Sequence, residues 1–146
     1  MQVEIKIDSS YPEPKIIVLT ASMTEEVDNI IKKLSENVPQ VISGIKDGKV
    51  EVLEPEALLR IYSASGKVFA VTDKGEYAVR LRLYELEARL DRNRFIRISN
   101  SEIINLKKAD SFDLSFTGTI CVKLSDGTLS YVSRRYVSRI KKILGI

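Results

Sequence analysis

The sequence predicts a mainly β protein, α+β overall, built from small antiparallel sheets with short helices and preceded by a β-β-α segment at its N-terminus. Turn signals recur at Asp47-Gly48, Ser65-Gly66, Asp73-Lys74-Gly75, Thr117-Gly118 and Asp126-Gly127, several of them flanked by alternating apolar runs. Alternation is clearest in Tyr77–Leu83, where Tyr77, Val79, Leu81 and Leu83 face one way and Arg80 and Arg82 the other. Helical periodicity, by contrast, is confined to a few short stretches.

In chain order, Val3–Ile7 alternates apolar with polar residues and reads as a strand, and Lys15–Leu19 reads as a buried one, with a turn around Pro12-Glu13-Pro14 between them. A helix follows. Ser22 and Glu25 have capping-box spacing, acidic Glu25, Glu26 and Asp28 fill the first turn, and Val27, Ile30, Ile31 and Leu34 make one apolar stripe that Pro39 ends. The stripe suits packing within its own segment or a partner surface. After Ser43-Gly44 the texture changes to short strands. Leu83, Leu86 and Leu90 mark a helix, Ser101–Ile104 a brief helical turn closed by Asn105, and Ser133 to about Leu144 a last helix with Val137, Ile140 and Leu144 on one face.

The length of 146 residues suits one core that buries roughly two-thirds of the chain's surface, with a small annex. Charge divides the chain: residues 1–44 carry a net of −3 and residues 45–146 a net of +6, which predicts an annex for dimerisation or partner binding and a separate basic domain. With 44% hydrophobic residues and no apolar run of about 18, neither disorder nor a membrane-spanning helix is predicted. The first residues lack the features of a secretory signal, so a cytoplasmic protein is expected. Cys121, the one cysteine, sits in an apolar run and reads as a buried small residue.

Histidine is absent, which removes the Ser-His and Cys-His triads and, with one cysteine, the structural zinc patterns. No phosphate-cradling glycine loop is present. The expectation is therefore no catalysis, no metal, no cofactor and no small-molecule substrate. A carboxylate enzyme would have to use Asp110, Asp113 or Asp126, which lie at a strand and in a hairpin turn.

Basic residues gather in two segments, Arg92, Arg94 and Arg97 before Asn100, and Arg134, Arg135, Arg139, Lys141 and Lys142 in the last helix. Arginine and asparagine are the side chains best shaped to read guanine and adenine edges. Arg134 and Arg135 open a helix where their charge opposes the macrodipole, an arrangement that suits a bound anion. Asn100 reads either as an outward base contact or as a helix cap, Ser101 being the better cap. Arg97 reads equally as a phosphate contact or as the buried partner of a carboxylate such as Glu102. Asn105 reads as a structural turn former.

From about Leu58 onward the chain resembles the LytTR DNA-binding domain family. The residues that carry the resemblance are the strand–turn–strand Arg60–Val71, the Leu-x-x-Leu-x-x-x-Leu helix at Leu83–Leu90, and Phe95-Ile96-Arg97-Ile98-Ser99-Asn100-Ser101 with Ile104-Asn105. The Asp126-Gly127 hairpin and Val132-Ser133-Arg134-Arg135-Tyr136 complete it, in order and spacing, over residues 45–146. The resemblance implies an elongated assembly of small sheets that enters the major groove of double-stranded DNA through loops, in a transcription regulator that recognises repeated sites as a homodimer, at least on DNA. It implies base contacts at Gly66 or Lys67, at Asn100 and at Arg135. Lys67, Arg94, Arg97 and Arg134 are expected to position the DNA backbone. Many members have histidine at the position of Ser99. Residues 1–44 are too few for the receiver domain that most members carry, and stand-alone members imply a membrane-protein partner. A basic protein-interaction module that docks an acidic or membrane-bound partner is the alternative reading, and it predicts no preference among DNA sequences.

Overall fold

In the computed structural model, residues 1–35 and 41–146 are described. The chain forms two compact units, Met1–Pro39 and Gln40–Ile146, so the division falls before Gly44 rather than after it. The reason is visible in the first hairpin: Ile42–Gly44 belong to β1 (Ile42–Lys46), which pairs along its length with β2 (Lys49–Leu53).

In the first unit the helix forms as α1 (Glu25–Ser35), but its cap is Thr24, whose Oγ1 accepts the Val27 N–H at 3.3 Å, and not Ser22. Val27 on its stripe is buried, whereas Ile31 and Leu34 are exposed. The two strands expected at Val3–Ile7 and Lys15–Leu19 do not form. Val3, Ile5, Ile7 and Leu19 are 80–97% exposed. An isolated two-stranded ribbon is at best marginal in water without a third strand or a covering helix, and alternation alone does not supply one. The stop expected at Pro39 lies outside the described residues.

The second unit carries β3 (Leu58–Ala64), β4 (Lys67–Thr72), β5 (Gly75–Val79), α2 (Leu83–Arg89), β6 (Phe95–Ser99), β7 (Glu102–Asn105), β8 (Ala109–Asp113), β9 (Ile120–Leu124), β10 (Leu129–Val132) and α3 (Arg134–Leu144). All strand pairs are antiparallel, in a seven-stranded sheet of order β2-β1-β5-β4-β3-β7-β6 and a three-stranded sheet of order β10-β9-β8. The fold is thus mainly β. Two-residue turns close β1–β2 and β3–β4, with Asp47, Gly48, Ser65 and Gly66 all at positive φ, the geometry that matches strand twist.

Two cores result. Leu58, Ile61, Tyr77, Leu83, Leu86, Leu90, Phe95 and Ile103 form the first, and Ile96, Ile98, Ile104, Val122, Leu124 and Ile140 lie in the second. The β6–β7 hairpin belongs to both, because neighbours in a strand point to opposite faces: Phe95 and Ile103 enter one core, Ile96 and Ile104 the other.

Three local expectations change. The strand expected to run to Leu83 stops at Val79, since Leu83 is needed with Leu86 and Leu90 on the buried face of α2. Residues Ser101–Ile104 are not a helical turn: Glu102–Asn105 is β7, paired on both sides, as two adjacent β-branched isoleucines facing two cores require. A 3-10 turn comes only afterwards, at Leu106–Lys108. Cys121 is buried in β9.

Asn105, also buried, builds the corner. Its Nδ2 donates to the Leu58 carbonyl at 2.8 Å and its Oδ1 accepts the Lys107 N–H at 3.0 Å. Asn105→Ala leaves that carbonyl without a side-chain donor in the interior, and should destabilise the fold by about 1–3 kcal/mol. In urea denaturation the midpoint should fall at unchanged slope; an unmoved midpoint would mean that the corner is held by other contacts.

Candidate nucleic-acid interface

Three connections meet along one rim of the second unit: the β3–β4 turn at Ser65-Gly66, the β6–β7 turn at Asn100-Ser101, and the start of α3. Pairing alone brings the first two together, since the Ser63 N–H donates to the Ser101 carbonyl at 2.8 Å. Ser133, which precedes α3, donates its N–H to the Ile98 carbonyl at 2.9 Å. The Tyr136 hydroxyl lies 3.4 Å from Asn100 Oδ1, with the hydroxyl as donor. Ser65, Gly66, Arg82, Tyr84, Arg97 and Asn100 all line one open cleft of about 300 Å³ on this rim.

Asn100 is exposed, and no helix follows it, so neither it nor Ser101 is a helix cap. The turn is closed instead by Ser99, whose Oγ accepts the Ser101 N–H at 3.2 Å. Arg97 holds it from below. Its Nε donates to the Ser99 carbonyl at 2.7 Å and its Nη2 to the Asn100 carbonyl at 2.6 Å, while Nη1 pairs with Glu87 of α2. The carboxylate pairing offered by one of its two readings forms, through Glu87 and not Glu102. Glu102 is already engaged: its Oε2 accepts Arg60 Nη1 at 2.9 Å and the Ser130 hydroxyl at 2.7 Å.

Arg134 and Arg135 are both exposed in the first turn of α3, where no acidic residue stands and the Ser133 side chain makes no cap bond. Arg134 leans over Gly118, which has φ +76°; a Cβ there would lie 3.2 Å from Arg134 Nε. Arg135 sits beside the Tyr136 ring, 6.0 Å from its centroid. Neither has an ion pair among the described residues. Lys67 is exposed at the first position of β4, directly after the Ser65-Gly66 turn.

Arg94 is elsewhere. It precedes β6 while Asn100 follows it, and a five-residue strand separates its ends by about 15 Å. Its Nη1 meets Glu56 at 3.2 Å, and its Nε is buried with no protein partner. Asp113 and Asp126 serve turns. Hydrogen bonds from the Ser115 hydroxyl and N–H hold the Asp113 carboxyl below the usual range, and the Thr128 N–H, then its hydroxyl, do the same for Asp126. Among the described residues no three His, Cys, Asp or Glu side chains gather as metal ligands would.

Sequence reasoning missed Glu87 and Tyr84. The leucine spacing of α2 marks Tyr84 as exposed and puts Glu87, four residues after Leu83, at the border of the buried face, but says nothing of which arginine Glu87 meets.

Residues 48–145 match the family described as the LytTr DNA-binding domain. A LytTr DNA-binding domain of a methyl-accepting/DNA response regulator from Bacillus cereus superposes with a TM-score of 0.70 at 20% identity, covering 73% of this chain and 97% of that one. A Staphylococcus aureus protein (strain NCTC 8325) described as an uncharacterized HTH-type transcriptional regulator is 30% identical over 147 residues, which is 100% of this chain and 99% of that protein. A protein of the same description in strain MRSA252 is 29% identical over the same length. A helix-turn-helix is not the arrangement here: among the described residues α1 and α2 are separated by β1–β5, and α2 and α3 by β6–β10. No helix of the described residues is long and apolar enough to cross a membrane.

Arg97→Lys keeps the charge but loses the fork that serves two carbonyls and a carboxylate at once. Amide hydrogen exchange at Asn100 and Ser101 should rise while exchange in β3 and β9 stays unchanged. Unchanged exchange at the turn would show that Ser99 alone suffices to hold it.

Proposed function

This chain belongs to the LytTr DNA-binding domain family, and from that premise we propose that it is a sequence-specific double-stranded DNA-binding transcription regulator that reads repeated sites through major-groove loops. The observation that carries the reading is the exposure of Asn100 and Arg135 beside each other's supports: Tyr136, next to Arg135, reaches the Asn100 carboxamide. An amide and a guanidinium are the two groups that pair in bidentate fashion with adenine and guanine edges. Fixing both on one rim lets one groove receive both.

Asn100 and Arg135 take the base contacts, and Lys67 and Arg134, both exposed, take phosphates. Arg97 acts indirectly, by holding the turn that presents Asn100. Arg94 is given no direct contact, because it stands at the far end of β6 and faces Glu56. Two subunits on paired repeats are the natural stoichiometry. We assign the N-terminal unit to that association with a second copy; its support is the exposure of the apolar Val3, Ile5, Ile7 and Leu19.

Selection from a random duplex pool should enrich one repeated motif. Arg135→Ala should then weaken binding by about 1–3 kcal/mol and relax preference at a single base, as loss of one bidentate pair does. Lys67→Gln should weaken all duplexes alike and reduce the salt slope by about 1. If the pool yields no motif, or if Arg135→Ala weakens every sequence equally, base reading by this rim is wrong.

A further inference from the structure

We propose that Arg92 and Arg139, with the Tyr84 hydroxyl, form a seat for a phosphate of the DNA backbone, separate from the rim assigned to base reading. The proposal rests on the chain's being a DNA-binding protein and adds a second contact surface to it.

A cleft of about 310 Å³ lies between α2, β6 and α3, with Phe95 and Ala88 in its lining. Because β6 is the outermost strand of the seven-stranded sheet, no further strand covers this cleft. Three guanidinium groups line it, and they are not equivalent. Arg97 is neutralised by Glu87 and also donates to the Ser99 and Asn100 carbonyls. Arg92 and Arg139 are exposed and have no ion pair among the described residues. The cleft therefore holds two uncompensated positive charges in a concave surface, an arrangement that repels itself until an anion enters. Tyr84 is 71% exposed, so its hydroxyl is free to donate. Guanidinium forks and a hydroxyl are the donors that hold a phosphate, which accepts several hydrogen bonds at once.

Continuity with the rim favours a backbone phosphate over a free one. Tyr84 and Arg97 line this cleft and also the one that contains Ser65, Gly66 and Asn100. On α3, Arg139 follows Arg135 by four residues, hence on the same side of the helix and about 6 Å along its axis. A duplex whose groove receives Asn100 and Arg135 thus has a sugar-phosphate strand within reach of Arg139, and through Tyr84 of Arg92.

The test is the salt dependence of binding by the full chain to its selected duplex and to an unrelated one. In R92Q/R139Q the log–log slope should shrink by about 0.9, the share of one phosphate, with both duplexes weakened alike and base preference intact. R92K/R139K should keep most of the slope. An unchanged slope in a double variant that melts like the parent overturns the proposal; should the double variant unfold, R92Q and R139Q alone should each remove part of that ~0.9, and an unmoved slope in both overturns it. A second arm titrates inorganic phosphate into the free protein. Saturable binding that R92Q/R139Q abolishes, with the DNA slope unmoved, would assign the cleft to a free phosphate and overturn the backbone seat. If the parent selects no motif yet the double variant still loses slope, base reading fails and the phosphate seat stands.

Discussion

One hairpin, β6–β7, is buried on both of its faces, and the position of everything on the rim depends on that. Strands covered on one side alternate apolar with polar residues, whereas these carry Phe95-Ile96 and Ile103-Ile104 as adjacent apolar pairs, one member for each core. A slip of one residue in its register would exchange the two sets of side chains between the cores, so the register is strongly fixed. The turn that joins the strands inherits this rigidity. Asn100 stands where it does because Ile98 and Ile103 on either side of it are fully buried.

Electrostatics sorts the arginines into two populations. Arg60, Arg94 and Arg97 turn to carboxylates of their own chain: Glu102, Glu56 and Glu87. The Arg60–Glu102–Ser130 connection links β3, β7 and β10, hence the large sheet to the small one, and its two charged members are mostly buried. Removing one partner from such a group leaves the other buried and uncompensated, so these residues act as fasteners. Lys67, Arg92, Arg134, Arg135 and Arg139 are exposed and have no such partner among the described residues. A net charge of +3 conceals this, because the acidic side chains that lower it partly serve the interior and partly lie in the first unit.

Much of the fold was legible because its punctuation is chemical. Asp47-Gly48 and Ser65-Gly66 occupy positive-φ turns, and the leucine spacing of α2 and the isoleucine of α3 mark buried faces. What misled was local signal without tertiary context. Ser101-Glu102-Ile103-Ile104 opens like a helix, but two cores compete for its isoleucines and only a strand serves both. Val3–Ile7 alternates like a strand, but no neighbour pairs with it in the first unit. At the rim, the residues of Asn100 and Arg135 stood out by type and spacing. The support of that rim did not, since the pairing of Arg97 with Glu87 rather than Glu102 depends on which face of β6 meets α2, and no spacing in the chain encodes that.

On the reading proposed above, such a rim would let loops do what a recognition helix does elsewhere. A free loop that must order itself on contact loses conformational entropy, on the order of 1–2 kcal/mol per residue for the backbone alone. Here the turns are ordered by the chain itself: Arg97 binds two carbonyls of the β6–β7 turn, Ser101 accepts from β3, and Ser133 is anchored to Ile98. The helix α3 buries Ile140 in the second core, while Ser133 and Tyr136 tie its start to the β6–β7 hairpin. Its N-terminal arginines weaken it as a helix, because they face the positive end of the dipole. That unfavourable contact is relieved when an anion approaches, and a structure that holds it in place already has part of its binding energy built into the unbound state.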